Sequence, residues 1–527
     1  MITLALKIIL ALWLIRETKR LLFWLYLWQL KEYRWRRFKA HFNTKKGKSI
    51  LKDKKQWLKL LLLLLLFGPD PVFYGAVGML ILIYLAEVAK VFLDLFRKNL
   101  KTPAMTAKTW LLVGLVAVTE VLFGAFSLIY FGPLLFFVAL VAFDLLTPLV
   151  VILLLWFVKP LVKLAKKRIY YKARKKRKGL DELLVIGITG SYGKTSTKEF
   201  LAEILSEKYE VVKTPEHVNT EIGVAQTILN EVSSKHEIFV AEVGAYHQGE
   251  IEHTCSFLKP QVSILTGINE QHLATFGSQQ NIIKGKYELI EALPQTGLAV
   301  FNGYNEYCKK LYKKTKDPKR LISSEGDLEA ENIKTDKDSV SFEISNDEGT
   351  FEFELNLLGE APIQNFLLAV EVAQELGMSL EEISEIIEQK YLEGAQSLKQ
   401  GEFNVVDSTY SGNPNSVIAH LDYLENWSGK KIIVMPCLIE LGPAAAEVHQ
   451  RIGEKAAEVC DLAVFTTGDY FEEVREAALS NGMNNNQISL IENPKQAFER
   501  IENYNGEEDI ILLESRVPEL LKDGLLE

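Results

Sequence analysis

Residues 189–197 have the types and the spacing that bind the phosphate groups of a nucleotide. Gly190 and Gly193 let the backbone curl around phosphate oxygens. Lys194 offers a positive charge to the β- and γ-phosphates, and the Thr195 hydroxyl can ligate magnesium. These residues therefore predict a nucleotide-phosphate loop rather than an ordinary turn.

The residues on either side predict the elements that must position this loop. Residues 183–188 are apolar and β-branched, which is typical of a buried strand. Residues 198–205 place apolar side chains at helical spacing. A strand, a glycine loop and a helix in this order deliver phosphates to a helix N-terminus, whose free N–H groups and dipole favour anions. The order of elements thus supports a nucleotide site.

The composition divides the chain into two parts. At 527 residues it is long enough for about three domains. Apolar residues crowd into roughly the first 160 positions, basic residues lie near them, and the remainder is acidic within a net charge of -8. An acidic second part argues against a nucleic-acid partner. The cysteines are far apart and suggest neither a disulfide framework nor a zinc site, which fits a reducing cytosol.

Two long apolar stretches predict pairs of membrane helices. Residues 57–95 are interrupted at residues 68–71, and residues 109–158 are interrupted at residues 132–133. Each uninterrupted run approaches the roughly 20 residues that cross a bilayer as a helix, although the first arm is short. The opening stretch, residues 2–30, is apolar but carries four charged residues near its middle. It is compatible with a tilted span, a hairpin or a pair of interfacial helices.

The charges of the connecting segments predict the orientation in the membrane. Residues 31–55, 97–108 and 163–178 are rich in Lys and Arg, whereas the turns near Gly68 and Gly132 carry no positive charge. Basic loops remain on the cytoplasmic side. We therefore expect a multi-pass protein of the cell membrane whose soluble domains lie in the cytoplasm. The last basic segment is a membrane flank and linker, at a level where anionic headgroups attract it.

A series of segments resembles, in order and spacing, the motifs of the Mur ligase family, above all those of its D-alanyl-D-alanine-adding branch. These segments are residues 187–197, 213–215, 219–224, 240–251, 266–273, 276–278, 284–288, 405–416, 440–442 with His449, and 515–516. The likeness covers roughly residues 183 to 527, about two-thirds of the chain. Several ordered motifs are far more specific than one phosphate loop.

The apolar stretches predict an α-helical transmembrane region, and the resemblance implies two α/β domains after it, a P-loop ATPase domain and a Rossmann-like C-terminal domain. The predicted boundaries are a membrane-embedded region at 1–165, a basic linker at 166–182, the ATP-binding domain at 183–395 and the C-terminal domain at 396–527. Short apolar runs at 431–435, 462–466 and 509–513 alternate with helical stretches, as a second α/β layer requires. The active site is expected in the cleft between the α/β domains.

The resemblance also implies a set of site residues and two cofactors, ATP and magnesium, the latter as two ions. ATP-binding residues are Gly190, Ser191, Gly193, Lys194, Thr195, Ser196, Asn302 and Asp407; catalytic residues are Lys194, Lys286 and His272; metal-binding residues are Thr195, Glu242, His272 and Lys286; substrate-binding residues are Asn219, Thr220, Tyr410 and Asn413. Lys286 is implied to be carbamylated by carbon dioxide, which turns a cationic side chain into an acidic metal partner.

The chain also departs from the family pattern. Ile188 stands where the strict phosphate loop has Gly or Ala, and Tyr304 replaces the usual acidic residue after Asn302. Residues 394–396 lack the usual arginine, and Ser408 replaces a second aspartate after Asp407. The helical region stands where the family has a domain that binds a uridine nucleotide. Substrate and nucleotide contacts are therefore expected to differ.

The implied function is an ATP-dependent ligase that joins a carboxylate to an amine through an acyl phosphate. It would add an amino acid or D-alanyl-D-alanine to a small-molecule or lipid-linked peptide precursor of the cell wall. Membrane lipid and other cell-wall enzymes are the further expected partners. A polyglutamate-type synthase and an ATP-binding scaffold remain open as alternatives. A scaffold has no need of two metal sites, and a transport ATPase is disfavoured because no second nucleotide-domain signature follows the loop.

Overall fold

The computed structural model describes residues 2–51, 54–97, 99–216, 218–316, 318–347, 349–390, 397–409 and 412–526. The chain divides into two compact units, Met1–Lys167 and Arg168–Glu527. Tyr410 and residues 394–396, which entered the predictions, lie outside the described residues. The predicted boundary between 395 and 396 lies outside them as well.

Helices make up the first unit. They are α1 (Ile2–Leu30), α2 (Trp35–Asn43), α3 (Lys45–Leu51), α4 (Lys54–Leu65), α5 (Asp70–Phe96), α6 (Ala107–Tyr130) and α7 (Pro133–Lys178), the last of which ends in the second unit. The predicted interruptions near Gly68 and Gly132 are confirmed, since α4 and α5 are separated at the first and α6 and α7 at the second. The opening stretch is one helix of 29 residues, so it is neither a hairpin nor a helix pair.

Three helices of the described chain are long and apolar enough to cross a membrane, namely α5, α6 and α7. At about 1.5 Å per residue, a helix of some 24 residues is roughly 36 Å long. That exceeds the roughly 30 Å of a bilayer's hydrocarbon core. The shorter α4 has 12 residues, which agrees with the expectation that the first arm is short for a span.

A cluster of buried charges joins α1, α4, α5 and α7. Arg16 contacts Glu87 at 2.5 Å and also pairs with Glu17 and Asp144. Lys59 contacts Glu87 at 2.8 Å and Asp144 at 3.3 Å. Buried charges are tolerated only when opposite charges compensate them. Arg16 and Lys19, two of the charges that interrupt the opening apolar stretch, are therefore paired with carboxylates on the helices packed around it.

The ATP-binding domain predicted from sequence is a parallel sheet with helices and a small antiparallel sheet. Its elements are β1 (Leu184–Thr189), α8 (Lys194–Leu205), β2 (Val211–Lys213), α9 (Glu221–Asn230), β3 (Ile238–Glu242), α10 (Glu250–Leu258), β4 (Val262–Leu265), α11 (Leu273–Phe276), α12 (Gln279–Glu291), β5 (Leu298–Asn302), α13 (Glu306–Lys314), β6 (Lys319–Ile322), β7 (Glu331–Thr335), β8 (Val340–Asn346), β9 (Gly349–Leu355), α14 (Ala361–Glu375) and α15 (Leu380–Gln389). The main sheet has the order β2-β3-β1-β4-β5-β6, and β7-β8-β9 form the smaller one. We call this the middle domain.

A second α/β domain follows. Its elements are β10 (Ser397–Gln400), β11 (Asn404–Ser408), α16 (Pro414–Tyr423), β12 (Lys431–Met435), α17 (Ala445–Val459), β13 (Leu462–Phe465), α18 (Phe471–Ser480), β14 (Ile488–Leu490), α19 (Pro494–Ile501), β15 (Ile510–Glu514) and α20 (Glu519–Leu526), with short 3-10 helices at Leu424–Asn426 and Gly442–Ala444. The sheet order is β10-β11-β15-β12-β13-β14, with β10 antiparallel. The strands predicted at 431–435, 462–466 and 509–513 are confirmed as β12, β13 and β15.

The segment predicted as a basic linker is helical up to Lys178. Its last turns pack on the middle domain, where the Tyr170 ring stacks on Phe257 with centroids 5.5 Å apart. Arg177 is buried and donates hydrogen bonds to the carbonyl oxygens of Leu258 (3.2 Å) and Leu183 (3.1 Å). This basic residue therefore binds protein carbonyls.

Candidate functional site

The predicted phosphate loop lies between β1 and the first turn of α8. Gly193 immediately precedes α8 with φ of +76°, a conformation that side chains with a Cβ rarely adopt. A Cβ at Gly193 would lie 2.1 Å from Asn365 Oδ1, and one at Gly190 would lie 2.0 Å from Thr266 Oγ1. Both glycines are thus required by close neighbours, and the N–H groups at the start of α8 border the loop.

Lys194, the lysine of the phosphate loop, forms a hydrogen bond within the loop. Lys194 Nζ donates a hydrogen bond to the carbonyl oxygen of Gly190 at 2.9 Å. Burial lowers the pKa of Lys194, and the Glu242 carboxylate partly offsets this effect. A cation in such a site gains from a nearby phosphate because the low-polarity surroundings strengthen their attraction.

A carboxylate from the neighbouring strand meets the loop hydroxyl. The strands β1 and β3 pair in parallel, with Ile188 opposite Glu242, so the end of β3 lies beside the loop. Thr195 Oγ1 donates to Glu242 Oε2 at 2.8 Å, and Asn219 Nδ2 donates to Glu242 Oε1 at 2.8 Å. Hydroxyl and carboxylate oxygens are the ligands that Mg²⁺ prefers. The contact therefore fits the predicted magnesium role of Thr195 and Glu242.

His272 is held by a carboxylate of the other α/β domain. Its Nδ1 lies 3.0 Å from Glu440 Oε2, and the Tyr246 ring lies against it with centroids 4.6 Å apart. Burial lowers the pKa of His272. A proton on Nδ1 leaves the lone pair of Nε2 for a metal, as in carboxylate–histidine–metal arrangements. His272 therefore fits its predicted role as a metal ligand.

Lys286 is buried in α12, although lysine is rarely buried without a partner. Burial and the positive charge of Lys194 lower the pKa of Lys286 to about 7. A neutral amine is the form that reacts with carbon dioxide. These surroundings thus fit the predicted carbamate, which stays a prediction.

No group of three or more His, Cys, Asp or Glu side chains converges on a metal position within the described ranges. The number of protein ligands at a site distinguishes a zinc site from a magnesium site. Zinc usually takes three or four protein ligands, whereas Mg²⁺ takes one or two and completes its shell with phosphate and water. The sparse ligand set is therefore compatible with magnesium bound together with a nucleotide.

A cavity of about 960 Å³ lies at the junction of the two α/β domains, as expected from the sequence. The predicted residues that line it are Ser191, Gly193, Lys194, Thr195, Ser196 and Asn413. Tyr304 and Ser408, two of the positions at which the chain departs from the family, line it too. These two departures thus lie where a nucleotide or substrate would be contacted.

Three predicted ATP-binding residues, Gly190, Asn302 and Asp407, are not among the residues described as lining this cavity. Asn302 is fully buried at the end of β5 and donates to Thr266 O (2.8 Å) and Gln364 Oε1 (3.0 Å). Asp407 Oδ2 pairs with Lys522 at 2.7 Å. Asn302 therefore contacts the lining residue Gln364, whereas Ser408 rather than Asp407 faces the cavity. Their roles in ATP binding stay predictions.

The predicted substrate residues have structural contacts of their own. Thr220 caps α9 by accepting a hydrogen bond from Gly223 N at 3.3 Å. Asn413 caps α16 and accepts a hydrogen bond from Asn269 Nδ2 at 3.1 Å. Asn269 also donates to Asn415 Oδ1 at 2.8 Å. The asparagines thus link the two α/β domains beside the cavity.

Sequence reasoning assigned no role to three residues that the structure brings to the site, Asn269, Asn365 and Glu440. Asn269 and Glu440 lie within motifs that carried the resemblance, so their motifs were a usable signal. Asn365 is the fifth residue of α14, and its Oδ1 lies 3.4 Å from Thr197 Oγ1. A polar residue near the start of a helix, outside any recognised motif, gives no such signal.

Comparison with known proteins places both α/β domains in one family. Residues 188–373 match the Mur ligase middle domain, and residues 395–516 match the Mur ligase, glutamate ligase domain. The UDP-N-acetylmuramoyl-tripeptide--D-alanyl-D-alanine ligase of Buchnera aphidicola is 30% identical over 321 residues, which are 59% of this chain and 69% of that protein. The same ligase of Borreliella burgdorferi is 33% identical over 55% of this chain and 64% of its own length.

Solved structures show the same likeness. MurF from Acinetobacter baumannii has a TM-score of 0.62 and 27% identity, and the match covers 68% of this chain and 80% of that chain. MurF ligase from Thermotoga maritima in complex with ADP has a TM-score of 0.59 and 25% identity, with 68% and 84% covered.

A parallel sheet that ends in a phosphate loop, with a second α/β domain facing it, defines a two-domain nucleotide-dependent enzyme. The chain belongs to the Mur ligase family, whose members are ATP-dependent amide-bond-forming ligases. Three of the curated relatives are matched over 60%, 64% and 69% of their own length.

Proposed function

We propose that this chain joins D-alanyl-D-alanine to the terminal carboxylate of a muramyl-peptide precursor of the cell wall, with ATP as the energy source. The names of the relatives support this substrate pair. The observation that carries the proposal is the cavity at which the phosphate loop faces Asn413 and Ser408 of the other domain. A nucleotide on one wall and an acceptor held from the other is the arrangement that a ligase requires.

The proposed reaction has two steps, formation of an acyl phosphate and its attack by an amine. A carboxylate oxygen of the acceptor attacks the γ-phosphorus of ATP, forming an acyl phosphate as the bond to ADP breaks. The amine nitrogen of the dipeptide then attacks the acyl carbon, phosphate leaves, and the nitrogen loses a proton. Lys194 neutralises phosphate charge in the first step. The enclosing domains keep water from hydrolysing the acyl phosphate.

The proposed reaction also uses magnesium ions, which would be held by the residues whose chemistry fits them. Bound ions supply positive charge against the phosphate oxygens. Thr195 and Glu242 would hold one, and His272 with a carbamylated Lys286 would hold the second. Glu440 and Asn219 then orient His272 and Glu242 by the hydrogen bonds described above.

Phosphate release by the purified full-length protein tests the proposal. ATP and Mg²⁺ are supplied with a nucleotide-linked muramyl tripeptide and D-alanyl-D-alanine, together and singly. We expect release only with both, its loss in Lys194→Ala, and no change in Lys235→Ala, a matched exposed lysine. Release with glutamate in place of the dipeptide would instead favour the polyglutamate-type synthase. ATP binding without turnover on any acceptor would favour the scaffold.

The helical unit is proposed to anchor the chain as a multi-pass protein of the cell membrane, in place of the family's nucleotide-binding domain. The apolar lengths of α5, α6 and α7 support this, and so does the gathering of basic residues in the loops. The proposal places these loops and both α/β domains in the cytoplasm.

Labelling of intact cells with a membrane-impermeant maleimide tests this orientation. Gly132→Cys lies in an uncharged turn, where a Cβ meets no atom within 4 Å, and Lys48→Cys lies on the exposed side of α3. We expect labelling of the Gly132→Cys variant in intact cells, and of the Lys48→Cys variant only after permeabilisation. The reverse pattern would overturn the orientation.

A further inference from the structure

A cavity of about 430 Å³ is lined by residues of the helical unit alone. Its lining comes from α1, α3, α4, α5 and the segment after α5. Six basic side chains line it, namely Arg16, Lys19, Arg20, Lys55, Lys90 and Lys101. Two acidic side chains line it, Glu87 and Asp94. The nucleotide chemistry described above uses none of these residues.

Both acidic residues of this cavity are already paired with cations of its lining. Glu87 lies 2.5 Å from Arg16, and Asp94 lies 2.5 Å from Lys19. The basic side chains of the lining therefore outnumber the acidic ones by four, and Arg20, Lys90 and Lys101 are among those not paired with Glu87 or Asp94. Like charges around so small a volume repel one another, and an anion of matching charge relieves that repulsion.

Apolar side chains line the same cavity. Phe23, Trp24, Ile50 and Val91 contribute to it beside the basic residues. A free phosphate ion makes no favourable contact with apolar side chains, whereas a lipid presents a charged head next to hydrocarbon chains. The mixture of cations and apolar side chains therefore favours an amphiphilic anion over a soluble one.

The position of the cavity in the unit agrees with this ligand. Lys55 and Gln56 begin α4, Lys90 and Asp94 lie near the end of α5, and Lys101 follows that end. These are the ends that join the basic loops, away from the turns at Gly68 and Gly132. Under the proposed orientation, this is the level of the headgroups of the cytoplasmic leaflet.

Donors suited to phosphate oxygens are also present. Arg20 Nη1 donates to Gln56 Oε1 at 2.9 Å, which orients the guanidinium beside the cavity. Arginine offers paired N–H groups to phosphate oxygens, and lysine offers a compact charge. The amide groups of Gln56 and Asn99 add uncharged donors to the lining.

We propose that this cavity binds the phosphate or diphosphate head of a membrane lipid. Resting on the proposed function, the inference extends to the acceptor: the muramyl peptide is presented to this enzyme on a lipid diphosphate rather than on a uridine nucleotide. The lipid site thereby takes over the substrate-holding task of the domain that the helical unit replaces.

Binding is tested with full-length protein in nanodiscs of dioleoylphosphatidylcholine that contain either phosphatidic acid or phosphatidylglycerol. Native mass spectrometry of the released protein reports the retained lipid. We expect preferential retention of phosphatidic acid, whose phosphomonoester carries more charge than a phosphodiester. The double variant Lys90→Gln/Lys101→Gln should weaken retention by about tenfold or more, since each basic residue near a headgroup contributes several-fold to binding.

The matched control is Lys46→Gln/Lys48→Gln, which removes two exposed charges of α3 that do not line the cavity. It should retain phosphatidic acid as the unchanged protein does. Equal losses in both double variants would show a general charge effect and overturn the inference. Displacement of the lipid by inorganic diphosphate at equal concentration would overturn the choice of a lipid ligand.

The extension to the acceptor is tested by turnover on one tripeptide linked either to a lipid diphosphate or to uridine diphosphate. The Lys90→Gln/Lys101→Gln variant should raise KM for the lipid-linked acceptor, with kcat and the KM for ATP unchanged. Selective lipid retention without turnover on either acceptor would contradict the proposed function but would still support the lipid site. Turnover with an unchanged KM for the lipid-linked acceptor in this variant would contradict the role of the cavity in binding that acceptor, but it would still support the ligase function.

Discussion

His272 Nδ1 and Glu440 Oε2 lie 3.0 Å apart, although 168 residues separate them and they belong to different α/β domains. The backbone reinforces this contact, because Ala274 N donates to Glu440 O at 3.0 Å. A carboxylate on one imidazole nitrogen fixes the tautomer and the ring orientation. The middle domain therefore has a complete histidine site only when the C-terminal domain is in place.

Replacement of this carboxylate should weaken the enzyme through its metal requirement. We expect Glu440→Gln to lower phosphate release by roughly tenfold to a hundredfold at limiting Mg²⁺ and less at high Mg²⁺. Titration of activity with Mg²⁺ measures this. Glu447→Gln, an exposed residue of α17, should follow the unchanged protein. Equal loss at all Mg²⁺ concentrations would contradict the assignment.

Substitution of the loop glycine Gly193 should weaken nucleotide binding. In Gly193→Ala, the new methyl group meets Asn365 Oδ1 at 2.1 Å, and the φ of +76° is unfavourable for alanine. We expect at least a roughly tenfold rise in the dissociation constant for ATP, by calorimetry, from strain of more than about 1.4 kcal/mol. Gly401→Ala, where a Cβ meets no atom within 4 Å, is the control. Unchanged ATP binding in both variants would contradict the close fit.

Carbon dioxide should be required for full activity if Lys286 is carbamylated. Removal of carbon dioxide from the buffer should lower phosphate release, and bicarbonate should restore it. Lys286→Arg should be nearly inactive and insensitive to bicarbonate, because arginine stays charged and forms no carbamate under these conditions. Lys284→Arg, on the exposed side of the same helix, should respond as the unchanged protein does. Activity of the unchanged protein that is independent of carbon dioxide would argue against the carbamate.

A buried carboxyl of α14 should make stability depend on pH. Burial raises the pKa of Glu371 to about 7 from 4.5, with further contributions from Asp327 and Glu375. Arg320 lies 3.5 Å from Glu371 but only 2.5 Å from Glu375, and its positive charge offsets the effect of burial on the pKa of Glu371 only in part. Protonated Glu371 thus contributes stability that is complete below pH 4.5 and disappears as pH rises through about 7.

The variant Glu371→Gln, which stays neutral, should therefore gain thermal stability relative to the unchanged protein as pH rises from about 5 to 8. The gain is at most about 3 kcal/mol, from a pKa difference of roughly 2.5. Apparent Tm values across this range measure it, with the exposed Glu385→Gln as control. A constant Tm difference across the range would contradict a raised pKa.

The stability of the helical unit should depend on Asp144, one of two carboxylates that contact both Arg16 and Lys59. Asp144 contacts both Arg16 and Lys59, so Asp144→Asn leaves two buried cations with less compensation. We expect a loss of about 3 to 5 kcal/mol, the range for breaking a buried ion pair. Survival of monodisperse protein after heating in detergent measures it. Asp70→Asn, exposed at the start of α5, should survive as the unchanged protein does.

Local features were predictable because neighbouring residues determine them. The phosphate loop needs consecutive residues, and β1 and α8 follow from a short apolar run and from apolar residues at helical spacing. The helix breaks near Gly68 and Gly132 follow from glycine and proline between apolar runs. The single helix α1 could not be predicted in this way, because its charges are compatible with several local structures, and the ion pairs of Arg16 with Glu87 and Asp144 form only in the packed helices.

The sequence by itself determined the nucleotide loop, the order of the α/β elements and the apolar helices, since each depends on residues within one or two turns. Only the tertiary structure decided that Glu440 holds His272, that Ser408 rather than Asp407 faces the cavity, and that Arg20 and Lys90 share a basic cavity. Such pairings depend on strand order, helix packing and burial, which bring together residues far apart in the chain. No local pattern encodes the distance between them.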